Sequence, residues 1–142
     1  MLIFNSNYGP TLENYKKITS EGFAQVLWLN EDIVTEVGVM NYFVYWINEQ
    51  GEKELVTCPL NGQILPGVIR NSVLELAREW GIKATEKEFT IQELLKAQTE
   101  ERVLESFGTG TAAIVCPVKT MTYQNKVNFF ILFLIKTFRN TI

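Results

Sequence analysis

The run Met40-Asn41-Tyr42-Phe43-Val44-Tyr45-Trp46-Ile47 narrows the choice of fold more than any other stretch of the chain. It is rich in aromatic and β-branched residues, the composition of a largely buried strand. Asn48-Glu49-Gln50-Gly51-Glu52 follows as a hairpin loop, Leu55 to Cys58 returns as a second strand, and Pro59, which lacks a ladder donor, ends it. Upstream, Ala24 to Leu29 is an apolar run of strand length, Asn30-Glu31-Asp32 a polar turn, and Ile33 to Glu36 a further strand.

Helical signals come next. Gly62 marks a turn and Pro66-Gly67 a break, after which Val68, Ile69, Val73, Leu74, Leu76, Ala77 and Trp80 recur at helical spacing until Gly81. A helix over Val68 to Trp80 that starts this way leaves its first backbone N–H groups unpaired, with partial positive charge suited to a phosphate. Taken alone, the stretch reads first as an ordinary amphipathic helix after a turn. Lys83 to Thr90 reads as a strand, and Thr90 with Glu93 as a capping box for a short helix, Ile91 to Ala97. Val103 to Phe107 and Ala113 to Val118 are strand candidates around a tight loop, Gly108 to Ala112. Near the start, Asn7-Tyr8-Gly9-Pro10 is a turn that opens a helix over Thr11 to Thr19, with Gly22 ending it. There is no internal repeat and no linker. The pattern is α+β (α/β by some schemes) rather than an alternating βαβ series.

Composition excludes several functions. The 142 residues suit one domain, and 46% hydrophobic with 20% charged residues is not a disordered composition. A formal charge of -3 with no basic run argues against nucleic acid as the main partner. Met1 to Phe4 is too short for a signal-peptide core. The apolar tail Phe129 to Ile135 is too short to span a bilayer, which needs roughly 20 residues. With no histidine, His-based triads and most catalytic zinc sites are excluded. Cys58 and Cys116, far apart in sequence, read as two buried thiols in a reduced compartment.

Three features carry candidate chemistry. In Gly108-Thr109-Gly110-Thr111 the glycines let backbone approach an anion and Thr111 offers a hydroxyl, although taken alone the stretch reads first as a plain tight turn. Paired with the helix start at Val68 and Ile69, it gives two independent donors for one phosphate. Glu36 stands at the start of the most apolar strand, where a carboxylate is costly unless paired; it can hold a protonated ring nitrogen or be a surface strand end. Tyr8, beside a Gly-Pro turn, presents its hydroxyl to a ligand or simply packs.

Together these residues resemble the branched-chain amino-acid aminotransferases, pyridoxal-phosphate enzymes of the class IV, D-alanine-aminotransferase-like fold. The resemblance runs in order through Asn7-Tyr8-Gly9-Pro10-Thr11, Gln25 to Leu29, Thr35-Glu36-Val37-Gly38 with Met40-Asn41, Phe43 to Trp46, Pro59 to Gly62, Ile64 to Val68, and Gly110-Thr111-Ala112 with Val115 to Val118. It covers about residues 7 to 127 and is strongest to the eukaryotic branch. It implies a large C-terminal domain, incomplete at both ends, with residues 1–6 and the apolar tail 128–142 outside the match. By resemblance, Glu36 pairs with the cofactor's pyridine nitrogen, Tyr8 bonds its phenolic oxygen, and Leu65 packs on the ring face. The backbone of Val68 and Ile69, with Thr111, holds the phosphate. Ala112, through its backbone, binds the substrate carboxylate, and Val39 stands at a second substrate-binding position.

The implied reaction moves an amino group from leucine, isoleucine or valine to 2-oxoglutarate, in a cytoplasmic or mitochondrial homodimer that binds neither nucleic acid nor membrane. The departures bear on activity. The catalytic lysine is expected four residues before the Asn7 turn, where this chain has Ile3, which can neither bond a cofactor nor relay a proton. Val39 replaces a threonine of the family, and Ala113 replaces the first cysteine of a pair that Cys116 would complete. The chain is therefore expected to be inactive alone. The alternative is a non-catalytic module that binds the cofactor or pairs with a complete subunit.

Overall fold

The computed structural model describes residue 20, residues 22–124 and residues 126–129. The expectations for Ile3, Tyr8, the helix over Thr11 to Thr19 and most of the apolar tail lie outside the described residues. Nine strands and two helices are described, in the order β1 (Leu27–Asn30), β2 (Ile33–Val37), β3 (Met40–Ile47), β4 (Lys53–Thr57), α1 (Val68–Glu79), β5 (Lys83–Glu86), α2 (Ile91–Thr99), β6 (Val103–Thr109), β7 (Val115–Pro117), β8 (Thr120–Tyr123) and β9 (Lys126–Phe129).

β3 is the strand on which the sheet is assembled. It pairs antiparallel with β2, β4 and β6, while β4 pairs parallel with β5 and β6 antiparallel with β7. The class is thus α+β with a mixed sheet. Both faces of β3 are buried, which explains its near-continuous apolar run. Tyr42, Val44 and Trp46 face one core with Val34, Val56, Phe89 and the α2 residues Ile91, Leu94 and Ala97. Phe43 faces the other with Leu55, Phe107 and the α1 residues Leu74 and Ala77. Phe43 and Phe107 stack 5.2 Å apart, and Trp46 meets Phe89 edge-on at 5.6 Å. On the first face, Tyr42 also hydrogen-bonds Ser106 through its hydroxyl.

Several expected boundaries shift. The strand expected over Lys83 to Thr90 stops at Glu86. Lys87 N–H still donates to the Thr57 carbonyl at 3.1 Å, but the chain then turns so that Thr90 caps α2, with both bonds of the capping box present. β6 extends through Thr109, shortening the expected loop, and β7 spans only Val115–Pro117. The β8–β9 hairpin has no counterpart among the sequence expectations. Both cysteines are free; Cys58 is buried as expected, whereas Cys116 is half-buried. No described helix is long and apolar enough to cross a membrane.

Candidate functional site

The register of three strands places the candidate site. Glu36 on β2 lies opposite Asn41 on β3, and Asn41 lies opposite Thr109 on β6. Antiparallel partners project to the same face, so all three side chains share the face on which Phe43 and α1 sit. The loop between β4 and α1 crosses that face. Leu65 N–H donates to Glu36 Oε1 at 3.1 Å, and Asn41 Nδ2 donates both to the same oxygen at 3.1 Å and to the Leu65 carbonyl at 2.8 Å. Both bonds to Glu36 fall on Oε1; Oε2 takes none among the described residues. Burial lifts the Glu36 carboxyl above the usual carboxylate range, and the Leu65 N–H pulls it part of the way back.

Two residues beyond Leu65 the helix begins. Gly67 is the N-cap, no side chain among the described residues caps it, and no acidic residue occupies the first turn of α1. The partial positive charge of this helix start is therefore left for another group. Gly67 is required by packing rather than by its dihedral: a Cβ here would sit 2.2 Å from Asn41 Oδ1. The helix is anchored just behind its mouth by Arg70, which is 2% exposed. Arg70 Nη2 donates to the Cys58 carbonyl at 2.8 Å and to Glu86 Oε2 at 2.7 Å.

The expected site residues fall as follows. Leu65 and Val68 are exposed, at 50% and 80%, and Val39 is 71% exposed in the β2–β3 turn. Ile69 is half-buried, and Thr111 and Ala112 are exposed in the β6–β7 loop. That loop starts beside the same region: a Cβ on Gly110 would lie 2.9 Å from Met40. Glu36 and Leu65 are joined directly, and Val68 and Ile69 continue from them. Sequence reasoning missed Asn41, which links β2 to the loop, and Thr109, whose buried hydroxyl has no hydrogen-bond partner among the described residues. A polar side chain inside the most apolar strand was the available signal for Asn41.

A cavity of about 410 Å³ lies beside α1, but it is not this site. Tyr45, Leu55, Val73, Leu76, Trp80 and Phe107 are among its lining residues, and of the described expected site residues only Ile69 reaches it. Glu36 and the helix mouth instead form an open face. Its N–H donors at the helix start and its accepting half-buried carboxylate suit a ligand with an anionic group at one end and a basic nitrogen at the other.

The sheet that carries these groups is mixed, with α2 packed on one face and α1 on the other, an α+β arrangement. Comparison with known proteins narrows the class. The chain belongs to the class IV aminotransferases: the family described as Amino-transferase class IV matches residues 3–121. Enzymes of this family depend on pyridoxal phosphate. The branched-chain-amino-acid aminotransferase of Dictyostelium discoideum is 56% identical over 123 residues, which is 85% of this chain and 32% of that protein. Curated relatives include cytosolic and mitochondrial forms.

Among solved structures, the branched-chain aminotransferase from Thermoproteus uzoniensis, determined with norvaline, superposes with a TM-score of 0.63 at 30% identity, over 77% of this chain and 33% of that one. An aminotransferase from Brucella abortus bound to its PLP co-factor superposes at 0.59 with 25% identity, over 74% of this chain and 34% of that one. The chain spans about a third of the length of the curated relatives it matches.

Proposed function

We propose that this chain is the cofactor-holding portion of a branched-chain amino-acid aminotransferase that passes the amino group of leucine, isoleucine or valine to 2-oxoglutarate. The observation that carries the reading is the pair of hydrogen bonds fixing one Glu36 oxygen against the loop that opens α1. Pyridoxal phosphate, when bound, supplies a protonated ring that draws electrons from the substrate's α-carbon. Glu36 holds a proton on the ring nitrogen through its second oxygen. The N–H groups of Val68 and Ile69, with the Thr111 hydroxyl, take the phosphate at the helix start. Leu65 covers one ring face. The Ala112 backbone and the turn at Val39 meet the substrate carboxylate, and Tyr8 bonds the phenolic oxygen.

Leu65, Val68 and Val39 are strongly exposed, so the face is closed by the two thirds of the whole protein that this chain does not span. The resemblance supports a homodimer for that whole protein, and relatives of both kinds support a cytoplasmic or mitochondrial place.

With Ile3 where the lysine is expected, this chain binds the cofactor without catalysing transamination alone. Equilibrium dialysis with pyridoxal 5'-phosphate checks the binding, and a leucine–2-oxoglutarate assay checks the catalysis. Saturable retention with no turnover is expected; a folded chain with no saturable retention ends the reading. The second reading, a non-catalytic module that pairs with a complete subunit, is favoured by the same substitution at Ile3. It is separated by mixing the chain with a full-length relative and measuring the mass of the complex.

A further inference from the structure

The Glu36 carboxylate and the helix mouth belong to different parts of the chain, and one side chain joins them. Asn41 is 4% exposed. Its Nδ2 bridges the Glu36 carboxylate and the Leu65 carbonyl, and its Oδ1 fills the space where Gly67 lacks a Cβ. Leu65 N–H closes the circuit by donating to the same Glu36 oxygen. Asn41 is itself held by β2 and β6 on either side, through its pairing with Glu36 and Thr109.

We propose that Asn41 is the positioning residue of this site: its amide locks the Glu36 carboxylate and the Leu65–Gly67 loop into one unit, fixing the distance between the acid and the anion-binding helix start. The proposal rests on the reading above for the identity of the ligand, but not for the coupling itself. The amide has two donor hydrogens, and the two acceptors it meets, a carboxylate and a carbonyl, would repel one another without it. A shorter side chain at this position frees the loop. An aspartate of the same shape puts a second acceptor where the donor stood and pushes both acceptors away. Among the described residues the buried Cys58 thiol also senses Glu36, less than it feels its own burial, Glu88 and Arg70.

The test uses the full chain and compares wild type with Asn41→Ala and Asn41→Asp. In ligand-free wild type, the side-chain amide signals of Asn41 are followed by NMR as the Glu36 carboxyl titrates. They are expected to move with its midpoint; signals that stay fixed overturn the proposal, and this measurement needs no variant to fold. In both variants the Glu36 midpoint is expected to rise. Pyridoxal 5'-phosphate binding is expected to weaken about tenfold, the loss of one charge-assisted hydrogen bond.

Because Asn41 holds the loop and Glu36 as one unit, the double variant Glu36→Gln/Asn41→Ala is expected to lose less binding than the sum of the two single losses. Losses that simply add overturn the proposal. If wild type binds no pyridoxal 5'-phosphate yet the Asn41 signals follow Glu36, the functional reading fails and the positioning role stands. If wild type binds and the variants change neither midpoint nor affinity, the positioning role fails and the functional reading stands.

Discussion

Two carboxylates show how much a residue's surroundings decide its chemistry. Glu36 meets an N–H and an amide; burial raises its carboxyl and the Leu65 N–H draws it part of the way back toward ionisation. Glu105, on β6, is 5% exposed and faces the apolar cavity beside α1, where burial pushes its carboxyl up to about 7. Its folded value exceeds its unfolded one, so the native state holds the proton more tightly. Stability from this group is therefore present at acid pH and falls as pH rises through about 7. Glu105→Gln is expected to remove that dependence, raising stability at pH 8 by about 1–2 kcal/mol and changing little at pH 5. Urea midpoints at the two pH values check it. Gly67→Ala, which drives a Cβ to 2.2 Å from Asn41 Oδ1, is expected to lower stability by about 1–3 kcal/mol, measured by thermal unfolding. At this scale Glu36 was legible, because a carboxylate beside so apolar a strand needs a reason. Asn41 was not: its meaning depends on a register that sets it opposite Glu36 and on a loop 24 residues away.

Among the elements, α1 and β3 could be read almost to their ends because spacing and composition agree along their whole length. The strand from Lys83 could not. No glycine or proline marks a stop at Glu86, and the stop is imposed from elsewhere, by Val34 N–H donating to the Phe89 carbonyl at 3.0 Å and Ile91 N–H to the Asp32 carbonyl at 2.8 Å. The Thr90 capping box was legible because it is a local pattern, closed between Thr90 and Glu93. Thr90→Ala is expected to cost about 1 kcal/mol and to speed amide exchange in the first turn of α2. Arg70 carries more. It ties α1 to β5 and to the Cys58 carbonyl, so Arg70→Met is expected to cost about 2–3 kcal/mol, read from urea unfolding. The same change is expected to loosen the helix mouth, since Arg70 lies only three residues behind Gly67.

For the molecule as a whole, the family was legible because its motifs keep their order and spacing, while the sheet that unites them was not, since β3 meets β6 across about 60 residues of intervening chain. An open apolar surface lies on the same molecule: Leu76, Trp80 and Val115 are each more than 40% exposed beside the cavity along α1. Leu76→Lys is expected to leave stability within about 0.5 kcal/mol and to reduce both hydrophobic-dye binding and light scattering. The central claim concerns the other side of that helix, where the N-terminus of α1 and Glu36 grip one ligand from two ends. It is tested most directly by following the backbone amides of Val68 and Ile69 by NMR while pyridoxal 5'-phosphate is added to the full chain. The expected result is a saturable shift of both signals that pyridoxal without its phosphate does not reproduce. Saturable binding that leaves both amides unmoved, or equal shifts with and without the phosphate, would contradict it.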